Sequence, residues 1–180
     1  MPFEIEKNFN KAEYMKFIFF IAFMVSIGSA QATTTNEESG LKWYTDLEKA
    51  HTEAEKTKKP IFGFFTGSDW CGWCIKLQKE VFAKQAFIDW ASEKVILLEL
   101  DFPKRTPQTP ELKQQNRNLQ QALGVRGYPT VWLFTSKKTD TGGFNLTRVG
   151  KLGYPTGAVK GQEEVKFLSE ANRLLAAMPK

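Results

Sequence analysis

The sequence predicts an α/β fold, a central mixed β-sheet with helices on both faces, and three observations carry that expectation. Two short runs of large apolar residues, Ile61 to Phe65 and Val95 to Leu100, lack the polar alternation of a half-exposed strand and suit strands buried on both faces. Segments of helical periodicity alternate with them. A Gly142-Gly143 turn then joins two further strands, so the parallel crossovers end in a hairpin and the sheet must be mixed.

The elements follow in order. From Asp46 to Lys58 the stretch DLEKAHTEAEKTK places Leu47, Ala50, Ala54 and Lys58 three and four residues apart, a narrow inward stripe on a charged helix. Asp46 is placed to cap its N-terminus and Pro60 ends it. The strand from Ile61 leads directly to the cysteines. After Cys74, IKLQKEVFAK continues in helix-forming residues with Ile75, Leu77, Val81 and Phe82 available for burial, and a second short helix is expected over Phe87 to Glu93. Pro103, Pro107 and Pro110 keep the loop from Asp101 irregular until a helix over Glu111 to Leu123, which Gly124 stops. Strands at Pro129 to Thr135 and Phe144 to Gly150 precede an amphipathic helix over Glu163 to Met178. Counted from the first buried strand, the order is β-α-β-α-β-β-α, with no internal repeat and no low-complexity tract.

The chain of 180 residues has room for one ordinary domain, and 42% hydrophobic with 13% aromatic residues can supply its core. The net charge of +5 is spread over 25 basic and 20 acidic residues without a long run of like charge. That distribution argues for a solvated mixed-charge surface and against a nucleic-acid partner. Most of the phenylalanines, Phe62, Phe65, Phe82, Phe87 and Phe134 among them, are expected in the core, with Trp90 and Trp132 there or at its edge.

Residues 15 to 32, MKFIFFIAFMVSIGSAQA, have the layout of a secretory signal peptide: a Lys, an apolar run from Phe17 to Ile27, and small residues ending Ala30-Gln31-Ala32. Cleavage there makes Thr33 the first mature residue. The run is shorter than the roughly 20 residues that span a bilayer, which disfavours the alternative of an uncleaved anchor. The segment before Met15 carries Glu4, Glu6 and Glu13 against Lys7 and Lys11, unlike a positive n-region, so Met15 is read as the true start. The expected organisation is a signal peptide at 1–32, a polar flexible lead-in at 33–41 and one domain at 42–180, in a protein that is periplasmic or otherwise exported.

Both cysteines of the chain lie in Trp70-Cys71-Gly72-Trp73-Cys74. In an oxidising compartment structural disulfides are normally spread through a fold, and a bridge closing so small a loop stabilises little. The pair is therefore read as one that opens and closes. Cys71, after a buried strand and at the start of a helix, is expected to be the nucleophile, its thiolate favoured by free N–H groups and the macrodipole. Cys74, one turn further in, is expected to be more buried and to resolve a mixed disulfide by attacking the Cys71 sulfur. Zinc needs four ligands, and His51 is the single histidine, so no metal is expected and no bound cofactor is implied. On a charged helix His51 is expected at the surface.

These residues resemble the thioredoxin superfamily: Trp70-Cys71-Gly72-Trp73-Cys74 after a hydrophobic strand, then Gly124-Val125-Arg126-Gly127-Tyr128-Pro129-Thr130 before a later one. The resemblance covers roughly Lys42 to Met178 and implies the thioredoxin fold. It implies that Pro129 is a cis-proline that lies against the disulfide and presents backbone to an extended substrate, and Val149-Gly150 looks like the family's third contact to that surface. Thr66-Gly67-Ser68-Asp69 and the insertion from Pro103 look like the exported thioredoxin-like proteins of envelope bacteria. Two positions depart from thioredoxin itself. The place of its buried Asp is occupied by Phe64, and that of a nearby buried Lys by Leu97, which removes both members of a charge pair together. Glu99 and Asp69 are the acids nearest the site in sequence.

Reduction, oxidation and isomerisation of disulfides use the same two sulfurs and are separated by potentials spanning roughly 150 mV, or about 7 kcal/mol. By resemblance to exported thioredoxin-like proteins, the favoured reading is a reductant of disulfides in exported proteins, a monomer recharged by a membrane or periplasmic thiol-disulfide electron donor. A disulfide oxidase or isomerase of the same fold is the alternative. A third reading is a peptide-binding module without turnover that uses the aromatic surface of Trp70, Trp73, Tyr128 and Pro129. Trp70, Gly72, Trp73, Tyr128 and Pro129 are the expected substrate-positioning residues, the tryptophans partly exposed because a protein substrate must reach the cysteine between them.

Overall fold

The computed structural model describes residues 40–178. The expected signal peptide at 1–32, the expected start at Met15 and the expected lead-in up to residue 39 lie outside them. Leu41 packs against the core.

Five strands form one mixed sheet: β1 (Trp43–Tyr44), β2 (Ile61–Thr66), β3 (Ile96–Asp101), β4 (Thr130–Lys138) and β5 (Phe144–Leu152), in the order β1-β3-β2-β4-β5. β1 and β2 run parallel to β3, while β4 is antiparallel to β2 and to β5. The two-residue β1 has no counterpart in the sequence reading, because a period of two cannot be seen in two residues. The helices are α1 (Leu47–Thr57), α2 (Gly72–Leu77), α3 (Gln85–Lys94), α4 (Pro110–Ala122) and α5 (Glu163–Ala176). A π-helical turn, Gln78–Phe82, follows α2, with the Ala83 N–H donating to the Gln78 carbonyl five residues back.

Side chains of β2 are buried along its whole length, which places the strand at the centre of two cores. On one face Phe62, Phe64 and Leu97 meet α2, α3 and α5 together with both cysteines; on the other Ile61, Phe65, Leu98 and Leu100 meet Leu47 and Ala50 of α1 and Leu119 of α4. Phe62 is the hub of the first core, its ring within 6.2 Å of Trp43, Phe82, Phe87, Trp90 and Phe167. Trp90 is buried and Trp132 half-buried at the edge of the second core, as the sequence suggests.

Local signals set the helix ends. The Asp46 side chain accepts from the Lys49 N–H at the start of α1, and Thr109 caps α4 through the Leu112 N–H ahead of Pro110. Gly124 sits at φ +64°, the left-handed conformation that stops a helix without a Cβ penalty.

Three expectations fail. Lys58 is no part of the α1 stripe; it is the C-cap at φ 58°, outside the helix and exposed. Ile75 is 52% exposed, because Cys74 and Leu77 take the inward face of so short a helix. His51 is 3% exposed rather than on the surface: α1 lies over the β4–β5 hairpin, where the ring bonds Ser136 Oγ through Nδ1 at 2.9 Å and meets the edge of Phe144.

Because the Phe62 ring fills the centre of an aromatic cluster that cannot collapse around a smaller side chain, Phe62→Ala is expected to lower stability by about 3–5 kcal/mol. Urea unfolding followed by Trp fluorescence measures it.

Candidate active site

Cys71 and Cys74 are joined as a disulfide at the point where β2 gives way to α2. After Thr66 the chain folds back on Gly67, whose carbonyl accepts from the N–H groups of Trp70 at 3.2 Å and Cys71 at 2.8 Å. Gly67 is required here by close approach: a Cβ on it would lie 2.4 Å from the Trp70 ring. Cys71 is the N-cap of α2; its Sγ accepts from the Cys74 N–H at 3.2 Å and its carbonyl from the Ile75 N–H at 3.1 Å. Cys71 is 6% exposed and Cys74 fully buried, the asymmetry expected of an outer and an inner sulfur.

The Pro-rich segment after β3 is latched to this turn. Ser68 donates from its N–H and its hydroxyl to the Asp101 carboxylate at 2.8 and 2.6 Å, and the Trp70 indole donates to the Phe102 carbonyl at 2.8 Å. In return the Asp69 carboxylate accepts from the N–H groups of Lys104, Arg105 and Thr106 at 2.7–2.9 Å. The Lys104 N–H foremost, with those of Arg105 and Thr106, holds the Asp69 carboxyl down at about 2. Asp69 is therefore an ionised anchor for a loop.

Aromatic rings stand on either side of the disulfide. Trp70 is 38% exposed, with Tyr128 edge-on at 5.8 Å and Lys104 Nζ 4.2 Å over its face. Trp73 is 57% exposed, with Tyr154 against it at 5.0 Å and Lys76 Nζ 5.0 Å over its ring. The Tyr154 hydroxyl donates to Glu80, which holds its proton more tightly than usual, and Lys76 Nζ also lies 4.9 Å over the Tyr154 ring. Gly72 is exposed, with nothing within 4 Å of where a Cβ would stand. Pro129 follows a cis peptide bond from Tyr128 at the head of β4, and since Thr130 pairs with Phe65, it lies beside the end of β2 from which the cysteine turn springs. Tyr128 packs against the cluster that holds both cysteines.

The expected third contact is placed elsewhere. Gly150 pairs with Leu133 and abuts Leu174, whereas a Cβ on Gly153 would stand 3.8 Å from the Pro129 carbonyl oxygen. A register shift in β4–β5 between Leu133 and Phe134 makes counting along the hairpin unreliable. Lys76, Phe102, Lys104 and Tyr154 were not picked out from the sequence; the one available signal was Gly153-Tyr154-Pro155, an aromatic between turn residues just after a strand.

Residues 47–144 match the thioredoxin-like domain family. The chain belongs to the thioredoxin-like family of thiol-disulfide oxidoreductases. It is 34% identical over 120 residues to the disulfide bond reductase DsbH of Chlamydia pneumoniae, across 67% of this chain and 69% of that protein. To the thioredoxin-related protein DsbJ of the same organism it is 25% identical over 155 residues, 86% of this chain and 43% of DsbJ, so it spans less than half of that relative's length. A solved structure of a DsbH oxidoreductase superimposes with a TM-score of 0.62 at 28% identity, over 77% of this chain and 86% of the other. A thioredoxin from Thermus thermophilus shares the fold at 17% identity and a TM-score of 0.50. Among the described residues no group of three or more His, Cys, Asp or Glu could hold a metal ion.

Against the family pattern, Phe64 and Leu97 are both buried in the cluster that contains the cysteines. The nearest acid on that face is Glu99, which pairs in register with Phe64 and borders a cavity of about 280 Å³ walled by Trp43, Phe64, Gln78 and Phe82. Burial, and secondarily the charge of Asp101, raises the Glu99 carboxyl above its ordinary value of 4.5.

Two outcomes follow from these carboxylates. For Glu99 the native state keeps a proton that the unfolded chain has lost, so stability falls as pH rises through the window above 4.5. Glu99→Gln is expected to raise the melting temperature at pH 7 and to give no gain at pH 4, read by thermal unfolding at both pH values. For Asp69, Asp69→Ala removes the acceptor of three backbone N–H groups, and limited trypsin digestion is expected to cut after Lys104 or Arg105 several-fold faster than in the parent protein.

Proposed function

We propose that this chain is an exported disulfide reductase whose working groups are Cys71 and Cys74. The observation that carries the reading is the placement of the pair: Cys71 caps a helix next to two exposed tryptophans and keeps 6% exposure, while Cys74 is fully buried one turn further in. The 34% identical relative is a disulfide bond reductase, which supports the direction of electron flow.

In the reduced protein the Cys71 thiolate attacks one sulfur of a substrate disulfide. The substrate S–S bond breaks, a mixed disulfide forms through Cys71, and the departing substrate sulfur takes up a proton. Cys74, having lost its proton, then attacks the Cys71 sulfur. The mixed disulfide breaks, the second substrate thiolate is released and protonated, and the Cys71–Cys74 disulfide remains. Two electrons and two protons pass to the substrate, and a dithiol donor at the membrane or in the periplasm restores the pair by the same steps in reverse.

Trp70, Trp73, Tyr128 and Pro129 border the path to Cys71 and position the substrate segment, while the absence of a side chain at Gly72 leaves the approach open. Export rests on the leader-like segment ending at Ala32. The substrates are accordingly disulfide-bearing proteins of the exported compartment, and the protein acts as a monomer.

The reduction potential of the Cys71–Cys74 pair, measured in the mature protein by equilibration in glutathione buffers with Trp fluorescence, tests the reading. A value close to the roughly −270 mV of thioredoxin is expected; one near the about −120 mV of strong oxidants would replace the reductase with a disulfide donor. Alongside it, Cys74→Ser is expected to accumulate the mixed disulfide through Cys71, and Cys71→Ser to abolish turnover. A Cys71→Ser protein that still turned over substrate would overturn the assignment of the nucleophile.

A further inference from the structure

Positive charge borders the disulfide, and among the described residues Lys104, Arg126 and Lys151 are in no ion pair. Lys104 lies over Trp70, and Lys76 over Trp73 and Tyr154. On the far side of Tyr128 and Pro129, the residues that flank them, Gly127 and Thr130, line a cavity of about 430 Å³ together with Arg126, Trp132 and Lys151. No acidic side chain lines that cavity. Arg148 adds a further cation, its guanidinium 5.8 Å over the Trp132 ring. Adjacency runs without a break from the cysteine turn to this cavity: Trp70 touches Tyr128, and Tyr128 stands between Gly127 and Pro129.

The acids nearby are already engaged. Asp69 is held by the N–H groups of residues 104 to 106, Asp101 by Ser68 and Glu80 by Tyr154. Of the ion pairs among the described residues, none includes Lys104, Arg126 or Lys151, and Lys76 meets Glu80 only at 3.9 Å. At the rim acids are interleaved with cations, but the cavity beside Pro129 is lined by Arg126 and Lys151 with no acid between them, unlike an ordinary mixed-charge surface. Around one redox-active bond the molecule presents aromatic side chains with ammonium groups over their faces, and beside Pro129 a cavity lined by two cations, Arg126 and Lys151, that are in no ion pair among the described residues.

We propose that the substrate segment is an extended peptide acidic beside its cysteine, with a carboxylate seated between Arg126 and Lys151 in the cavity next to Pro129 and a second drawn toward Lys104 or Lys76. This rests on the disulfide-exchange reading and adds to it the charge of the substrate. Arg126 is suited to the seat because its planar fork can take both oxygens of a carboxylate, with Lys151 as a second point charge. Complementary charge of this kind acts chiefly on the encounter rate and on the rejection of wrong partners, and it weakens with salt.

The test compares three disulfide-bonded peptides of one length, with acidic, neutral or basic residues flanking the cysteine, as substrates of the reduced protein. The readout is the ratio of kcat/KM for the acidic and basic peptides within each protein, so that a general loss of activity cancels. In the parent protein the acidic peptide is expected to be favoured about tenfold at low ionic strength, with the preference shrinking at high salt. Arg126→Glu with Lys151→Glu is expected to abolish or invert the ratio. The milder Arg126→Gln with Lys151→Gln is expected to bring it toward one, and serves if the charge reversal impairs folding. Equal rates for all three peptides, or a preference that survives both double variants, would overturn the proposal while leaving the reductase reading intact. Failure of the parent protein to reduce even the neutral peptide would overturn the reading beneath it.

Discussion

A strand buried on both faces has to become a helix within a few residues, and the disulfide sits at that transition. Because β2 is covered by side chains along its length, the chain leaving Thr66 has no freedom to wander before α2 begins. Gly67 lets the Trp70 ring fold back on the backbone, its carbonyl fixes the Cys71 N–H, and Cys71 becomes the cap of α2. The helix then carries Cys74 into the core beside Leu77. Placement of one sulfur at the helix cap and its partner deeper in the core is thus a consequence of strand burial, a tight turn and one helical turn, and exchange chemistry needs little else from the protein.

The insertion after β3 belongs to the same machinery. Its prolines keep it irregular, and an irregular segment must find partners for its backbone groups outside a helix or sheet. It finds them in Asp69, while Trp70 and Ser68 return bonds to Phe102 and Asp101. The latch has a second effect: it brings Lys104 over the Trp70 ring and so sets a cation at the rim of the site. Structural support and the cation over Trp70 come from the same eight-residue loop between β3 and α4.

On the core side, Phe64 and Leu97 lie in the cluster that holds the cysteines, and Phe64 carries the aromatic packing from Phe62 and Phe82 up to them. The remaining acid on that face, Glu99, is held above the ordinary carboxylate range at the edge of a cavity. The site therefore combines an apolar interior with a cationic exterior, and its polar business is conducted at the rim.

Much of this was legible in order along the chain. Unalternating apolar runs specify buried strands whatever packs on them, and a glycine after a helical segment marks its end wherever the helix lies. Two motifs in sequence, Trp70 to Cys74 and Gly124 to Thr130, sufficed to indicate the family, the fold and the reacting sulfurs. Contacts that depend on which elements pack together were not legible. His51 is buried because α1 crosses the β4–β5 hairpin, Ile75 is exposed because a short helix has a single inward face, and Gly153 rather than Gly150 reaches Pro129 because β5 runs on to Leu152 opposite Val131 before the chain meets the head of β4. The rim of the site, Lys76 on Tyr154 and both Lys104 and Phe102 on Trp70, joins residues more than thirty positions apart. By itself the sequence determined the cysteine pair and the elements that present it, because those rest on local periodicity and turn chemistry. Tertiary structure alone decided what surrounds the pair, because surroundings are set by packing between segments that no local pattern links.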